Sequence, residues 1–277
     1  MDFDTDLHQN GSVFSRFAAH EERVENRIRQ RGEQNETTSA PAFGAASRLR
    51  FSGANEYDAA LFDLDGTLID SKGVWARIDA EFLLRRGITP PDDYMKAVSS
   101  KKFSEAAVYT IARFGLDDTV EGLSAEWLEM ARHEYGTNIF LKPGAAGYLR
   151  ALKKAGVRLG TVSGLPHALS DAVLEHNGVR GLFDAFTSAD DSPRGKEFPD
   201  GYRLAASRLG VAPARCVVFE DVLACAISAR EAGMTVCALW DGQSEGDWEA
   251  LGRVAATCAR SFDELRENGC FGIAELL

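Results

Sequence analysis

Four short polar stretches of this 277-residue chain combine residue types that can do chemistry. AALFDLDGTLID carries Asp63 and Asp65 one residue apart, directly after an apolar run. VRLGTVSG ends in Ser163 and Gly164, RGKEFPD holds a lone lysine, Lys196, and RCVVFED ends in Glu220 and Asp221. Four carboxylates and one ammonium do not share a dry pocket unless a cation joins them. Hard oxygen donors without His or Cys point to Mg²⁺. The Ser163 hydroxyl and the Gly164 amide could then donate to a phosphoryl group, with Lys196 neutralising part of its charge. Two carboxylates flanking one residue face the same side of an extended chain. One could attack phosphorus while the other gives and takes a proton.

Such residues must be brought together by the elements that end in them. Apolar runs at 58–62 (DAALF), 157–162 (VRLGTV), 183–187 (FDAFT), 215–219 (RCVVF) and 234–240 (MTVCALW) predict strands. Between them, PGAAGYLRALKKAG, PDGYRLAASRLG and EDVLACAISAREAG predict helices. The first two open on proline and all three close on glycine. Strands alternating with helices of this length imply an α/β fold, a doubly wound parallel sheet covered on both faces. In such sheets ligands bind outside the carboxyl ends of the strands, where the polar residues stand.

Residues 74–140 break the alternation and read as four helices, Val74–Arg86, Pro91–Val98, Phe103–Phe114 and Ser124–Asn138. An all-helical block after the first strand is most simply an inserted domain hanging over the edge that holds Asp63 and Asp65. The expected layout is therefore a core of 56–73 and 141–277, a helical insert at 74–140, and an N-terminal extension at 1–55. That extension is polar and lysine-free. Its helical stretch HEERVENRIRQR offers only Val24 and Ile28 as an apolar face, so it is expected to be disordered or loosely docked.

The net charge of −11 argues against a nucleic-acid partner, which needs a basic face, but allows a small anionic substrate in a locally positive site. No apolar stretch reaches the roughly 18 residues of a membrane span. The acidic start MDFDTDLHQNG lacks the apolar core of a secretory leader. The five cysteines form no C-x-x-C pair and suit buried thiols in a reducing cytosol, so a cytoplasmic location is expected. The oligomeric state is not legible, and a monomer is compatible with the pattern.

DLDGTL, Ser163, Lys196 and Glu220-Asp221, in that order at strand ends, resemble the haloacid dehalogenase-like hydrolases over roughly residues 58–265. The helical insert resembles that family's C1-type cap, and FED followed by a helix ending AREAGM resembles its β-phosphoglucomutase-like branch. The resemblance implies a Mg²⁺-dependent phosphatase for a small phosphorylated metabolite, of the sugar-phosphate or nucleoside monophosphate class. It implies Asp63 as a nucleophile that becomes an aspartyl-phosphate, and Asp65 as general acid/base. Mg²⁺ would be held by Asp63, the main-chain carbonyl of Asp65, Glu220 and Asp221, and phosphate by Ser163, Gly164 and Lys196.

Each residue also has a plainer reading taken singly. Asp65 could build a turn, Ser163 or Glu220-Asp221 could cap a helix, and Lys196 could be solvated. The catalytic reading rests on all four stretches together. In the insert, Trp75, Lys101 and Lys102 are candidates to meet substrate, while Arg113 is unassigned. Arg194, beside Lys196, could face the phosphate or be an ordinary solvated side chain, and His133, His167 and His176 sit on helical patterns with no metal spacing. A sugar-phosphate mutase is the alternative. Mutases of this branch usually carry a histidine where Trp75 stands, which favours hydrolysis. Dehalogenases lack the second aspartate, and a phosphonatase would need Lys101 or Lys102 as a Schiff base. A non-catalytic metabolite- or partner-binding module is the alternative of another class.

Overall fold

The computed structural model describes residues 57–268 apart from 92, 99–102, 189–190, 193 and 243. The expected extension at 1–55, Lys101, Lys102 and Cys270 lie outside the described residues. Among the described residues eight strands occur in chain order: β1 (Ala59–Phe62), β2 (Ile69–Asp70), β3 (Phe140–Leu141), β4 (Arg158–Ser163), β5 (Ala185–Ser188), β6 (Cys216–Glu220), β7 (Thr235–Leu239) and β8 (Thr257–Ala259). Six of them form one parallel sheet in the order β5-β4-β1-β6-β7-β8. β1 lies between β4 and β6, where the strand order reverses, so the sheet opens a crevice beyond its carboxyl end.

β1 reads AALF without alternation because both of its faces are buried. Ala60 and Phe62 enter the apolar core on one face, and Ala59 and Leu61 enter the core on the other. The Phe62 ring stacks on Phe219 of β6 at 4.5 Å and meets Phe183 edge-on at 6.3 Å. These contacts lock the neighbouring strands whose next residues are Asp63 and Glu220.

Among the described residues of the insert there are four helices: α1 (Val74–Arg85), α2 (Tyr94–Val98), α3 (Phe103–Phe114) and α4 (Val120–Thr137). The core helices are α5 (Ala145–Lys154), α6 (His167–His176), α7 (Pro199–Leu209), α8 (Leu223–Glu231), α9 (Trp248–Val254) and α10 (Phe262–Glu267). α2 starts three residues after Pro91, because the chain first makes a turn in which the Tyr94 amide bonds the Pro91 carbonyl. α4 starts at Val120 rather than Ser124, because the Thr119 hydroxyl accepts the Gly122 amide at 3.0 Å and caps the helix. β8 and the ribbon of β2 with β3 were not foreseen. Strands of two or three residues are too short to show a hydrophobic period. The ribbon pairs Ile69 with Leu141, so the two crossings between sheet and insert run side by side.

Within the insert, Phe82 of α1 meets Trp127 of α4 edge-on at 5.6 Å. Arg86, just past α1, binds Glu126 at 2.7 Å and Asp118 at 3.1 Å. No helix among the described residues is long and apolar enough to cross a membrane.

Asp79 is the exception on the apolar face of α1. It is 7% exposed, beside Val74, Ile78, Phe82 and Leu83, and burial pushes its carboxyl up from 3.8 to about 7. Between those values the unfolded chain releases a proton that the folded chain keeps. Stability therefore falls as pH rises through that window and levels off above it. Asp79→Asn is expected to be more stable than wild type at pH 8 by about 1–3 kcal/mol and to lose most of the slope. Urea unfolding at pH 5 and pH 8 measures both, and an unchanged slope would remove Asp79 as its source.

Candidate functional site

The backbone carries the β1 ladder one step past the strand, since the Asp63 amide donates to the Phe219 carbonyl at 3.1 Å. Then it turns sharply. The amides of Thr67, Leu68 and Ile69 converge on the Leu64 carbonyl at 3.2, 2.9 and 3.0 Å, and Leu64 is fully buried. Asp63 and Asp65 therefore do not share an extended segment, as strand alternation suggested. A tight turn sets them near each other instead. Gly66 makes the turn feasible. Its φ is +79°, and a Cβ there would stand 2.5 Å from an Asp221 carboxylate oxygen.

Three carboxylates gather where β1 and β6 end. Ligand oxygens of Asp63, Glu220 and Asp221 lie within 4.8 Å of one another, and all three residues are buried. Lys196, 9% exposed, reaches in from the loop before α7. Its ammonium donates to Asp63 Oδ1 and pairs with Glu220 Oε2 at 2.8 Å. Glu220 is further engaged. Oε2 accepts the Tyr202 hydroxyl at 3.3 Å, and Oε1 accepts the amides of Asp221 and Val222 at 3.2 and 3.1 Å. Asp221 is aimed by Thr67, whose hydroxyl donates to Oδ1 at 2.7 Å, and by Ser244, which donates to Oδ2 at 3.1 Å.

The charges do not balance. Burial pushes Glu220 up, against the pull of Lys196, and burial followed by the charge of Asp63 pushes Asp221 up. Burial alone would lower Lys196, but Asp63 and Glu220 more than reverse it. Three buried carboxylates share one ammonium, and among the described residues the cluster offers hard oxygen donors without a nitrogen or sulfur ligand. That donor set fits a divalent cation, which would relieve the repulsion. Asp65 is raised to about 6, first by burial, then against a hydrogen bond from Ser71, with the charge of Asp63 adding to the rise.

β4 is the neighbour of β1 on the other side, with Thr161 paired to Phe62. Ser163 thus ends its strand two residues beyond the end of β1, buried, with its hydroxyl accepting the Leu165 amide at 3.1 Å. It builds the local turn and keeps its own proton to donate. Gly164 is exposed, with nothing within 4 Å of where a Cβ would be.

Other candidates are engaged elsewhere. Arg194 forks onto Asp200 at 2.7 and 2.8 Å and lies over the Phe198 ring. Arg113 pairs with Asp93, His167 with Asp191, and His176 packs on Phe140. Trp75 hydrogen-bonds to Tyr135.

Tyr135 itself was missed. Its hydroxyl donates to Asp65 Oδ1 at 2.8 Å across 70 residues of chain. Leu123, Trp127, Ala131 and Tyr135 recur every four residues on α4, which reads as plain core. Only the polar tip of the tyrosine hinted at a partner. Lys142, at the second crossing, ties the Gly66 carbonyl to Trp240 O at 3.2 Å and Asp241 Oδ2 at 3.0 Å.

Residues 57–233 match the family described as haloacid dehalogenase-like hydrolase. The chain is 34% identical over 182 residues to the validoxylamine A 7'-phosphate phosphatase of Streptomyces hygroscopicus subsp. limoneus, covering 64% of this chain and 83% of that one. It is 32% identical to hexitol phosphatase A of Escherichia coli K12, covering 65% of this chain and 81% of that one. Its fold is similar to a crystal structure of a protein titled as a β-phosphoglucomutase from Thermotoga maritima. There the TM-score is 0.66 at 21% identity, over 79% of this chain and 100% of that one.

Gly66→Ala tests the geometry of the turn. Left-handed backbone costs an alanine about 1–2 kcal/mol before any contact is counted, and the new methyl would drive Asp221 off Thr67. A loss of at least about 1 kcal/mol is expected in urea unfolding. A neutral substitution would mean that the turn and Asp221 are not in contact.

Proposed function

This chain belongs to the haloacid dehalogenase-like hydrolases and is a phosphomonoester hydrolase, and we propose that it works through a phosphoryl group carried on Asp63 beside a bound Mg²⁺. The proposed substrate is a small phosphorylated metabolite of the sugar-phosphate or nucleoside monophosphate class. One observation carries the reading. Asp63 ends β1 buried, with one oxygen held by Lys196 and an elevated carboxyl, Asp65, two residues on.

In the proposed reaction the remaining Asp63 oxygen forms a bond to phosphorus as the ester P–O bond breaks. Asp65 gives its proton to the departing oxygen, and an alcohol leaves. Asp65, now a carboxylate, then takes a proton from water as the water oxygen bonds to phosphorus. The Asp63–phosphorus bond breaks and inorganic phosphate leaves. Lys196, the Ser163 hydroxyl and the Gly164 amide are the proposed donors to the phosphoryl oxygens.

Asp63, Asp221 and the main-chain carbonyl of Asp65 would hold Mg²⁺, and bound there it would supply positive charge against the phosphoryl oxygens. Glu220 lies in the same cluster, but its oxygens already serve Lys196, Tyr202 and two amides. We assign it to holding Lys196 at the edge of the metal set.

The proposed layout keeps 56–73 and 141–277 as the catalytic core and 74–140 as a cap. A helical cap over the strand ends excludes bulk water and bulky polymers, which suits a small substrate. The two relatives named as phosphatases support that substrate class. Water is the proposed acceptor rather than a second sugar hydroxyl, because Trp75 stands where mutases resembling this chain carry a histidine.

Asp63→Asn is expected to fold and to lose at least about a hundredfold in turnover, since an amide is a poor nucleophile. Beryllium fluoride should protect the wild type as a phosphoryl mimic on Asp63 and leave the variant unprotected. Activity within about tenfold of wild type would overturn the mechanism. For the metal, EDTA is expected to abolish phosphate release across a panel of sugar phosphates, nucleoside monophosphates and small organic phosphates, and Mg²⁺ to restore it. Ca²⁺ should inhibit, because its larger and looser shell misplaces the phosphoryl group. Full activity in metal-free buffer would reject Asp63 and Asp221 as ligands.

A further inference from the structure

Asp65 is gripped from the helical insert. The Tyr135 hydroxyl donates to Asp65 Oδ1 at 2.8 Å, and the Tyr135 side chain is fully buried in the last turns of α4. The same tyrosine is hydrogen-bonded by the side chain of Trp75, in the first turn of α1. An indole N–H can only donate, so Trp75 gives its hydrogen to the phenol oxygen, and the phenol proton is turned toward Asp65. Ser71, at the first crossing, hydrogen-bonds the same carboxylate. The terminal torsion of an aspartate is broad and roughly two-fold, so an unheld carboxyl samples many orientations. Here two donors set it, and the chain from Trp75 through Tyr135 draws on both ends of the insert.

We propose that Tyr135, oriented by Trp75, is a positioning residue that aims the Asp65 carboxyl at the departing oxygen, so that the inserted helices set the acid/base of the sheet. The inference rests on the reading of Asp65 as acid/base given above. Tyr135 keeps its own proton throughout; the transferred proton is that of Asp65. The need for this aim depends on the leaving group. A poor leaving group must be protonated as its bond to phosphorus breaks, whereas a good one departs without help.

Phenyl phosphate and p-nitrophenyl phosphate, similar in shape and different in leaving ability, separate the cases. Tyr135→Phe keeps the ring and removes the hydroxyl. Its kcat/KM is expected to fall about tenfold or more with phenyl phosphate, and by no more than about threefold with p-nitrophenyl phosphate, with KM little changed. Equal losses on both esters, or no loss, would overturn the proposal. Trp75→Phe, which removes the N–H but leaves the phenol, should show the same pattern at smaller size, and a uniform loss there would also count against it.

In an Asp65→Asn background, Tyr135→Phe should add nothing to the single-turnover release of p-nitrophenol, because two residues acting as a unit are not additive. Additive losses would mean that Tyr135 acts elsewhere. Beryllium fluoride protection should persist in Tyr135→Phe and report an intact fold and an intact Asp63. Its absence in the wild type would sink the reading of Asp63, whatever Tyr135 does.

Discussion

Mutual repulsion of buried carboxylates governs this molecule. Asp63, Glu220 and Asp221 end adjacent parallel strands with one ammonium, Lys196, among them. Taking charges out of water costs several kcal/mol each, and their pairing rarely returns more than that. The cluster is thus a local cost to folding, offset by the apolar sheet beneath it. The stacked rings of Phe62 and Phe219, both fully buried, come directly before Asp63 and Glu220 in the chain, so apolar packing adjoins the charged cluster. Glu220, fully buried, fits the same logic, since Lys196, Tyr202 and two backbone amides surround its oxygens.

That constraint explains the turn that follows β1. Asp221 can approach Asp63 only where residue 66 lacks a side chain, and Thr67 then aims the Asp221 carboxylate. Lys142, at the second crossing, holds the carbonyl of the same glycine. The β2–β3 ribbon brings that lysine to the first crossing. The insert and its second crossing therefore touch the site at three levels: the backbone of the turn through Lys142, the Asp65 carboxylate through Tyr135, and Tyr135 through Trp75.

Strand ends were the most legible part of the chain. The runs ending in Asp63, Ser163 and Glu220 are apolar without alternation, which a parallel sheet covered on both faces requires, and each polar residue that ends them is conspicuous for that reason. Lys196 was legible by its isolation in a short loop between a strand and a proline-led helix. Tyr135 was not. A tyrosine in an apolar stripe at helical spacing looks the same whether its hydroxyl meets water or a carboxylate 70 residues away. Ser71, Ser244 and Tyr202 were hidden similarly, as ordinary residues of a loop or a helix. Arg194 went the other way. It stands two residues from Lys196, but α7 offers it Asp200, and a forked pair on one surface outcompetes a more distant charge.

By itself the sequence determined the parallel α/β sheet, the break in its alternation after the first strand and the polar residues that end its strands. Those features follow from local periodicity and from which residue ends each strand, and both are properties of neighbours along the chain. Tertiary structure alone decided that Asp63 and Asp65 meet through a turn rather than along a strand. It alone decided that Glu220 holds Lys196, and that Asp65 accepts a hydrogen bond from Tyr135 on the last helix of the insert. Each depends on distances between residues far apart in the chain, which close only when the strands pair and the apolar faces of α1 and α4 are buried against each other.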